Sequence, residues 1–269
     1  MPKASELNSI DKVMMLMKSS PGFGKTIAAC SAAVDGPLYL AYWDKKEPTE
    51  LTHYYKNIVK RPDLLERINW KAYGSWNANE FLNDLILFVK KGCPYVTIVN
   101  DSVTFMTSSA VNWSLGFRQN PKMDTKAGDS KTVMQIIPDF DEYKVETGLV
   151  TQAIDLCRAL PCNIIWTAHP LPKLLVTGSG SSMKVSQTNT IVSVGNKAGA
   201  IVPAAFTEIY HFLKETDYST NPSRITRKVT TDMVGDDFAK TSLNLPREFD
   251  ITDRLFWEVW KEQVRKGLE

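Results

Sequence analysis

Short apolar runs alternate along the chain with longer stretches in which apolar residues recur every three or four positions. Residues 12–18, 37–43, 68–73, 95–100 and 163–168 are compact, largely apolar runs, and each predicts a strand covered on both faces. Between and after them, 25–34, 49–67, 78–91 and 139–160 carry helical spacing. The third helix opens after Asn77, a predicted N-cap, and sets Phe81, Leu82, Leu85, Ile86 and Val89 on one face. Strands alternating with helices predict an α/β fold with a mostly parallel sheet flanked by helices. Beyond residue 200 the pattern changes. Residues 208–213 and 223–231 predict further strands, and 252–266 predicts an amphipathic helix with Leu255, Phe256, Val259, Trp260 and Val264 on its apolar side. No Pro-, Gly- or Ser-rich stretch marks a linker, so one domain over 1–269 is expected, with a core at 11–215 and a β-rich extension and final helix at 216–269.

Two segments lack a clear period and are expected as long loops: 105–138, and 170–199 with its run Thr177-Gly-Ser-Gly-Ser-Ser182. Loops of that length inside a domain are generally functional.

Composition narrows the class. With 269 residues, 43% apolar and 23% charged, the chain can bury a core and is too apolar for disorder. Lys plus Arg is 32 against 30 for Asp plus Glu, and this balance excludes a polybasic tail while leaving room for a local basic groove. The longest apolar run, 13–17, is far short of the roughly 20 residues of a membrane helix. The N-terminal segment has no secretory-signal pattern. Cys30, Cys93, Cys157 and Cys162 form no CxxC and have no His at metal spacing, so buried reduced thiols in a soluble cytoplasmic protein, without membrane association, are expected.

The chemistry concentrates where the first predicted strand meets the first helix. There Ser19-Ser20-Pro21-Gly22-Phe23-Gly24-Lys25-Thr26 follows the GxxxxGK[ST] pattern of a phosphate-binding loop, with Ser19 in place of the first Gly. Gly22 and Gly24 let the backbone turn its N–H groups toward a phosphate, and the helix start adds its positive end. Lys25 is expected to reach the β- and γ-phosphates of ATP, and Thr26 to ligate Mg²⁺. About 75 positions on, the run Tyr95-Val-Thr-Ile-Val-Asn100 leads into Asp101-Ser102, and an Asp at the end of a parallel strand stands where ligands bind and can help hold Mg²⁺. A third run, Asn163-Ile-Ile-Trp-Thr167-Ala, ends at His169 on the same expected sheet edge and is expected beside the Asp101 strand, where His169 can sense the γ-phosphate. A carboxylate is needed to polarise water. Asp44 and Glu47 both follow the second predicted strand, and nothing local decides between them, although Asp44 is nearer its end.

In this order the elements resemble the RecA-like branch of P-loop ATPases, and more closely the phage-encoded AAA-type ATPases related to RecA that act with single-strand annealing systems. The resemblance rests on Ser20-Pro-Gly-Phe-Gly-Lys-Thr26, Asn100-Asp101-Ser102, Trp166-Thr-Ala-His169, Gly195 to Pro203, Phe206 to Phe212, and Phe238-Ala-Lys240-Thr before Leu245-Pro246, over roughly 11–245. Ser19, Asn100 and the absence of a Glu directly ending the second strand depart from the pattern. The resemblance implies a RecA-like core, ATP and Mg²⁺ as cofactors, and an ATPase acting on single-stranded DNA in phage recombination or replication. It also implies a homo-oligomer, ring or filament, in the host cytoplasm, with a single-strand-binding or annealing protein as a further partner.

In such proteins the loops after the acidic strand and the sensor strand touch DNA. Here the first carries Trp113, Phe117, Arg118, Lys122, Lys126 and Lys131, and the second Lys173, Lys184 and Lys197. Aromatics among cations suit a stacking and phosphate-neutralising surface, and an ordinary solvated loop diluted by Asp124 and Asp129 fits as well. Arg224, Arg227 and Lys240 are candidates for a cation that completes a neighbouring subunit's site, with a solvated surface charge as the alternative for each. Two other functions compete: a nucleotide-gated scaffold that does not hydrolyse but recruits a replication or recombination partner, and a small-molecule kinase. A kinase would want an Arg-rich lid after the core.

Overall fold

Ten strands and seven α-helices are found in the computed structural model, which describes residues 12–44, 47–117, 138, 140–177, 184–191, 196–219, 223–232 and 239–268. In chain order the strands are β1 Met14–Lys18, β2 Leu38–Tyr42, β3 Ile68–Ala72, β4 Thr97–Asp101, β5 Asn163–Ala168, β6 Pro170–Thr177, β7 Lys184–Ile191, β8 Glu208–Asp217, β9 Arg224–Thr230 and β10 Glu248–Asp250. The helices are α1 Lys25–Cys30, α2 Thr49–His53, α3 Ala78–Lys91, α4 Val103–Leu115, α5 Phe140–Ala159, α6 Asn196–Ala205 and α7 Phe256–Leu268.

Eight strands form one sheet in the order β10-β9-β8-β1-β5-β4-β2-β3. From β8 to β3 all neighbours are parallel, while β9 and β10 extend the sheet antiparallel. The fold is therefore α/β with a mostly parallel, helix-flanked sheet. β5 lies between β1 and β4, so the strand ending near His169 is indeed paired with the strand ending in Asp101.

The unbroken apolar runs of the central strands follow from burial on both faces. Met15, Met17, Leu38, Leu40 and Tyr42 join one core with residues of α1 and α7, while Leu16, Tyr39, Ala41, Trp43 and Trp166 join the other with residues of α3–α6. This is the strand period of two. α7 closes the first core beneath the phosphate-loop helix. The Trp257 backbone N–H donates to Ser31 Oγ at 3.0 Å, and the Trp257 indole donates to Asp35 at 2.7 Å, both in the 3₁₀ turn Ser31–Asp35 that continues α1. The C-terminal helix thus fixes the element that carries Lys25 and Thr26. Among the described residues no helix is long and apolar enough to cross a membrane.

The structure departs from the sequence expectations at five places. The opening of the first expected loop, 105–115, belongs to helix α4, which has eight buried positions including Met106, Ala110 and Val111, while 118–137 lie outside the described residues. The second expected loop contains the antiparallel hairpin β6–β7 and the start of helix α6. The single helix expected at 49–67 is broken into α2, one π turn Tyr54–Ile58 and a 3₁₀ turn Pro62–Arg67. Pro62 disfavours helical geometry at Arg61, which is found outside the helical region at φ −123°, ψ 63°. Asn77 makes no side-chain bond to the backbone of α3 and donates instead to Glu80 at 2.8 Å. On α3, Val89 is exposed, and Phe88 packs edge-on to Tyr39 in its place.

Candidate functional site

The turn between β1 and α1 sits at the C-terminal edge of the parallel strands. Gly22 and Gly24 have φ of 80° and 90°, in the left-handed region. A Cβ on Gly22 would meet open space, so its requirement there is backbone conformation rather than room. Ser19 is not among the described positive-φ residues, which explains why a serine is tolerated where the pattern has glycine.

Lys25 is buried at the head of this turn. Its Nζ donates to the Ser19 carbonyl at 2.7 Å and the Ser20 carbonyl at 3.1 Å, and lies 3.3 Å from His169 Nδ1. Burial brings its pKa down to about 8, against the opposing pull of Asp101. Beside it, the Thr26 hydroxyl donates to Asp101 Oδ2 at 2.6 Å, and the Thr167 hydroxyl donates to Asp101 Oδ1. Burial raises the Asp101 pKa, while these two hydroxyls and Lys25 act against the rise. Ser102 follows, buried in the same cleft, with no hydrogen-bond partner for its hydroxyl among the described residues. Clustered hydroxyl and carboxylate oxygens are the donor set that a hard cation takes, and Mg²⁺ needs only one or two carboxylates when phosphates complete its shell. Thr26 and Asp101 therefore fit Mg²⁺. Among the described residues no group of three or more His, Cys, Asp or Glu forms a dedicated metal cage.

His169 leaves the end of β5, its backbone N–H bound to Thr104 Oγ1 at 3.1 Å and its ring edge-on to Phe105. Burial and the neighbouring Lys25 depress its pKa to about 4, so the ring is neutral near pH 7 and can accept from Lys25 at Nδ1 when Nε2 carries the proton. Asn100, at a position usually apolar, is explained by packing: its Oδ1 accepts from the buried Trp43 indole at 2.6 Å.

Lys25, Thr26, Asp101, Ser102 and His169 line a cleft of about 630 Å³ together with Asp44, a size suited to a small-molecule ligand. Glu47 is exposed and does not line it. Glu50 does, and the sequence reading missed it. It stands half-buried in the first turn of α2, with Tyr42 Oη 3.5 Å from its Oε1. Burial first, then the charge of Asp101, pushes its pKa up. An acid in a helix's first turn ordinarily reads as a dipole partner, so only its position against the cleft distinguishes it.

The remaining expected residues are dispersed. Trp113 and Phe117 lie at the end of α4 with their rings 5.1 Å apart, and Phe117 is 72% exposed. Trp76 stands nearby across Gly116 and is also exposed. Arg118, Lys122, Lys126 and Lys131 fall outside the described residues. Lys173 and Lys184 lie on the β6–β7 hairpin, paired in register with Thr188 and Thr177, and Lys197 is exposed at the start of α6. Arg224 begins β9 opposite Asp217, and Lys240 forms an isolated backbone bridge with Ile209. Arg227 is elsewhere: its guanidinium lies against Gly24 of its own chain. No protein-family model and no curated protein matches this sequence.

Proposed function

We propose that the protein is an ATP-binding, Mg²⁺-dependent ATPase of the RecA-like kind that acts on single-stranded DNA in phage recombination or replication and works as a homo-oligomer. The observation that carries the ATPase reading is the meeting of Lys25, Thr26 and Asp101 at one strand edge, with the Thr26 hydroxyl 2.6 Å from the carboxylate. Lys25 would bind the β- and γ-phosphates, and Thr26 and Asp101 would hold Mg²⁺, which neutralises phosphate charge. Glu50 or Asp44 would orient the attacking water, since both line the cleft. His169, within reach of Lys25, would pass the state of the γ-phosphate into the β6–β7 hairpin that begins one residue later. The exposed rings of Phe117 and Trp76 support a base-stacking surface. The RecA-like assignment and the phage setting rest on the motif resemblance.

Phosphate release from ATP, measured alone and with single-stranded DNA, double-stranded DNA or RNA, tests this reading. Turnover stimulated selectively by single-stranded DNA is expected. ATP binding without turnover under every condition would instead favour the non-hydrolysing scaffold.

A further inference from the structure

The C-terminal strands bring a cation to the outer side of the phosphate-binding loop. A second, smaller pocket of about 100 Å³ shares Gly22 and Gly24 with the main cleft and is walled by Phe23, Tyr54, Arg227 and Arg254. Its floor is the apolar start of α7. Arg227 Nε lies 4.0 Å from where a Cβ on Gly24 would stand. The backbone of Arg227 is pinned on both sides: its N–H donates to Thr252 Oγ1 at 2.9 Å, and its carbonyl accepts from Ile251 at 2.9 Å. Arg254 is compensated by Glu262 at 2.8 Å, whereas the half-buried Arg227 guanidinium has no ion pair among the described residues. Tyr54 lines the same pocket, close enough for Arg227 to act on its hydroxyl against the effect of burial.

Resting on the nucleotide reading above, we propose that the base of the bound nucleoside triphosphate packs against the mouth of this pocket, with Arg227 and Tyr54 of the same chain bracketing the planar base and the ribose lying outside it. A planar guanidinium and a phenol ring give a nucleobase two faces to stack against. The triphosphate would lie in the main cleft, the chain turns at Gly24, and the base would rest against the mouth of the side pocket. Arg227 then acts within its own subunit and reads the nucleoside, instead of completing a neighbour's site.

Equilibrium binding of ATP and of inorganic tripolyphosphate to the parent, Arg227→Ala and Tyr54→Ala tests this. Tripolyphosphate carries the phosphates without base or ribose, so it also reports whether the phosphate loop of each variant is intact. Each variant should bind ATP about tenfold more weakly than the parent while holding tripolyphosphate within about twofold. Equal losses for both ligands would make Arg227 a phosphate contact and overturn the proposal. So would unchanged ATP affinity accompanied by loss of turnover only, the pattern of a cation acting across subunits. A parent that binds neither ligand would overturn the nucleotide site itself, and the pocket with it.

Discussion

The Thr26 hydroxyl and the Asp101 carboxylate meet at 2.6 Å although 75 residues separate them in the chain. The pairing exists because β1 and β4 end at the same edge of the sheet with β5 between them, and Thr167 at the end of β5 holds the other carboxylate oxygen. Asp101 is thus oriented from two sides, at a depth where its charge is expensive and therefore strong in its effect on a cation.

Asp101→Asn should separate function from stability. Neutralising a carboxylate that would help hold Mg²⁺ should lower turnover by roughly tenfold to a hundredfold, with ATP binding less affected. The stability effect has the opposite sign. A carboxyl whose pKa is raised on folding contributes stability at low pH that is lost as pH rises through the raised value. The variant escapes that loss and should melt no lower than the parent at neutral pH. A clearly lower melting temperature would contradict the account of Asp101 as a charge held at a cost.

Glu50→Gln and Glu47→Gln form a matched pair. Removing a general base typically costs about 10² to 10⁴ in rate. Glu50→Gln should show a loss in that range while binding ATP normally, and Glu47→Gln should resemble the parent. The reverse pattern would return the role to Glu47, against its position outside the cleft.

The histidine at the end of β5 predicts a pH signature. Its pKa falls from about 6.5 in the unfolded chain to about 4 in the fold. Its contribution to stability is therefore present above the unfolded value and is lost as pH falls through 6.5 toward 4. His169→Asn should flatten the fall in stability between pH 7.5 and pH 4.5, read by urea unfolding at both pH values. Identical falls in parent and variant would show that the ring is not held neutral.

Trp257 tests how far the C-terminal helix supports the site. Trp257→Ala removes a fully buried ring and its bond to Asp35. A loss of about 3–5 kcal/mol in unfolding free energy is expected. A loss under about 1 kcal/mol would mean that α7 is not a structural brace for α1.

The parts of this molecule legible in the sequence are those whose signal is local. β5 was readable to the residue from 163–168 because a parallel strand between two helix layers is apolar throughout, and Gly22 and Gly24 announced the turn because their backbone demands them. α4 was not readable. Val103–Leu115 is buried on most sides between α3 and α5, so it carries no polar stripe, and its threonines and serines argue locally against helix. Glu50, and the place of Arg227 beside Gly24 of its own chain, were hidden for a different reason. Each reaches the site through a neighbour in space, Tyr42 for one and Gly24 for the other, and neither meeting leaves a mark in spacing along the chain.

The most direct test of the central claim is phosphate release from ATP by the parent and by Lys25→Ala, side by side with Mg²⁺ and single-stranded DNA. Lys25 is the cation this account assigns to the β- and γ-phosphates, and its loss should lower turnover by about 100-fold or more. Turnover in Lys25→Ala equal to that of an active parent would contradict the assignment of the 19–26 turn as the phosphate-binding loop.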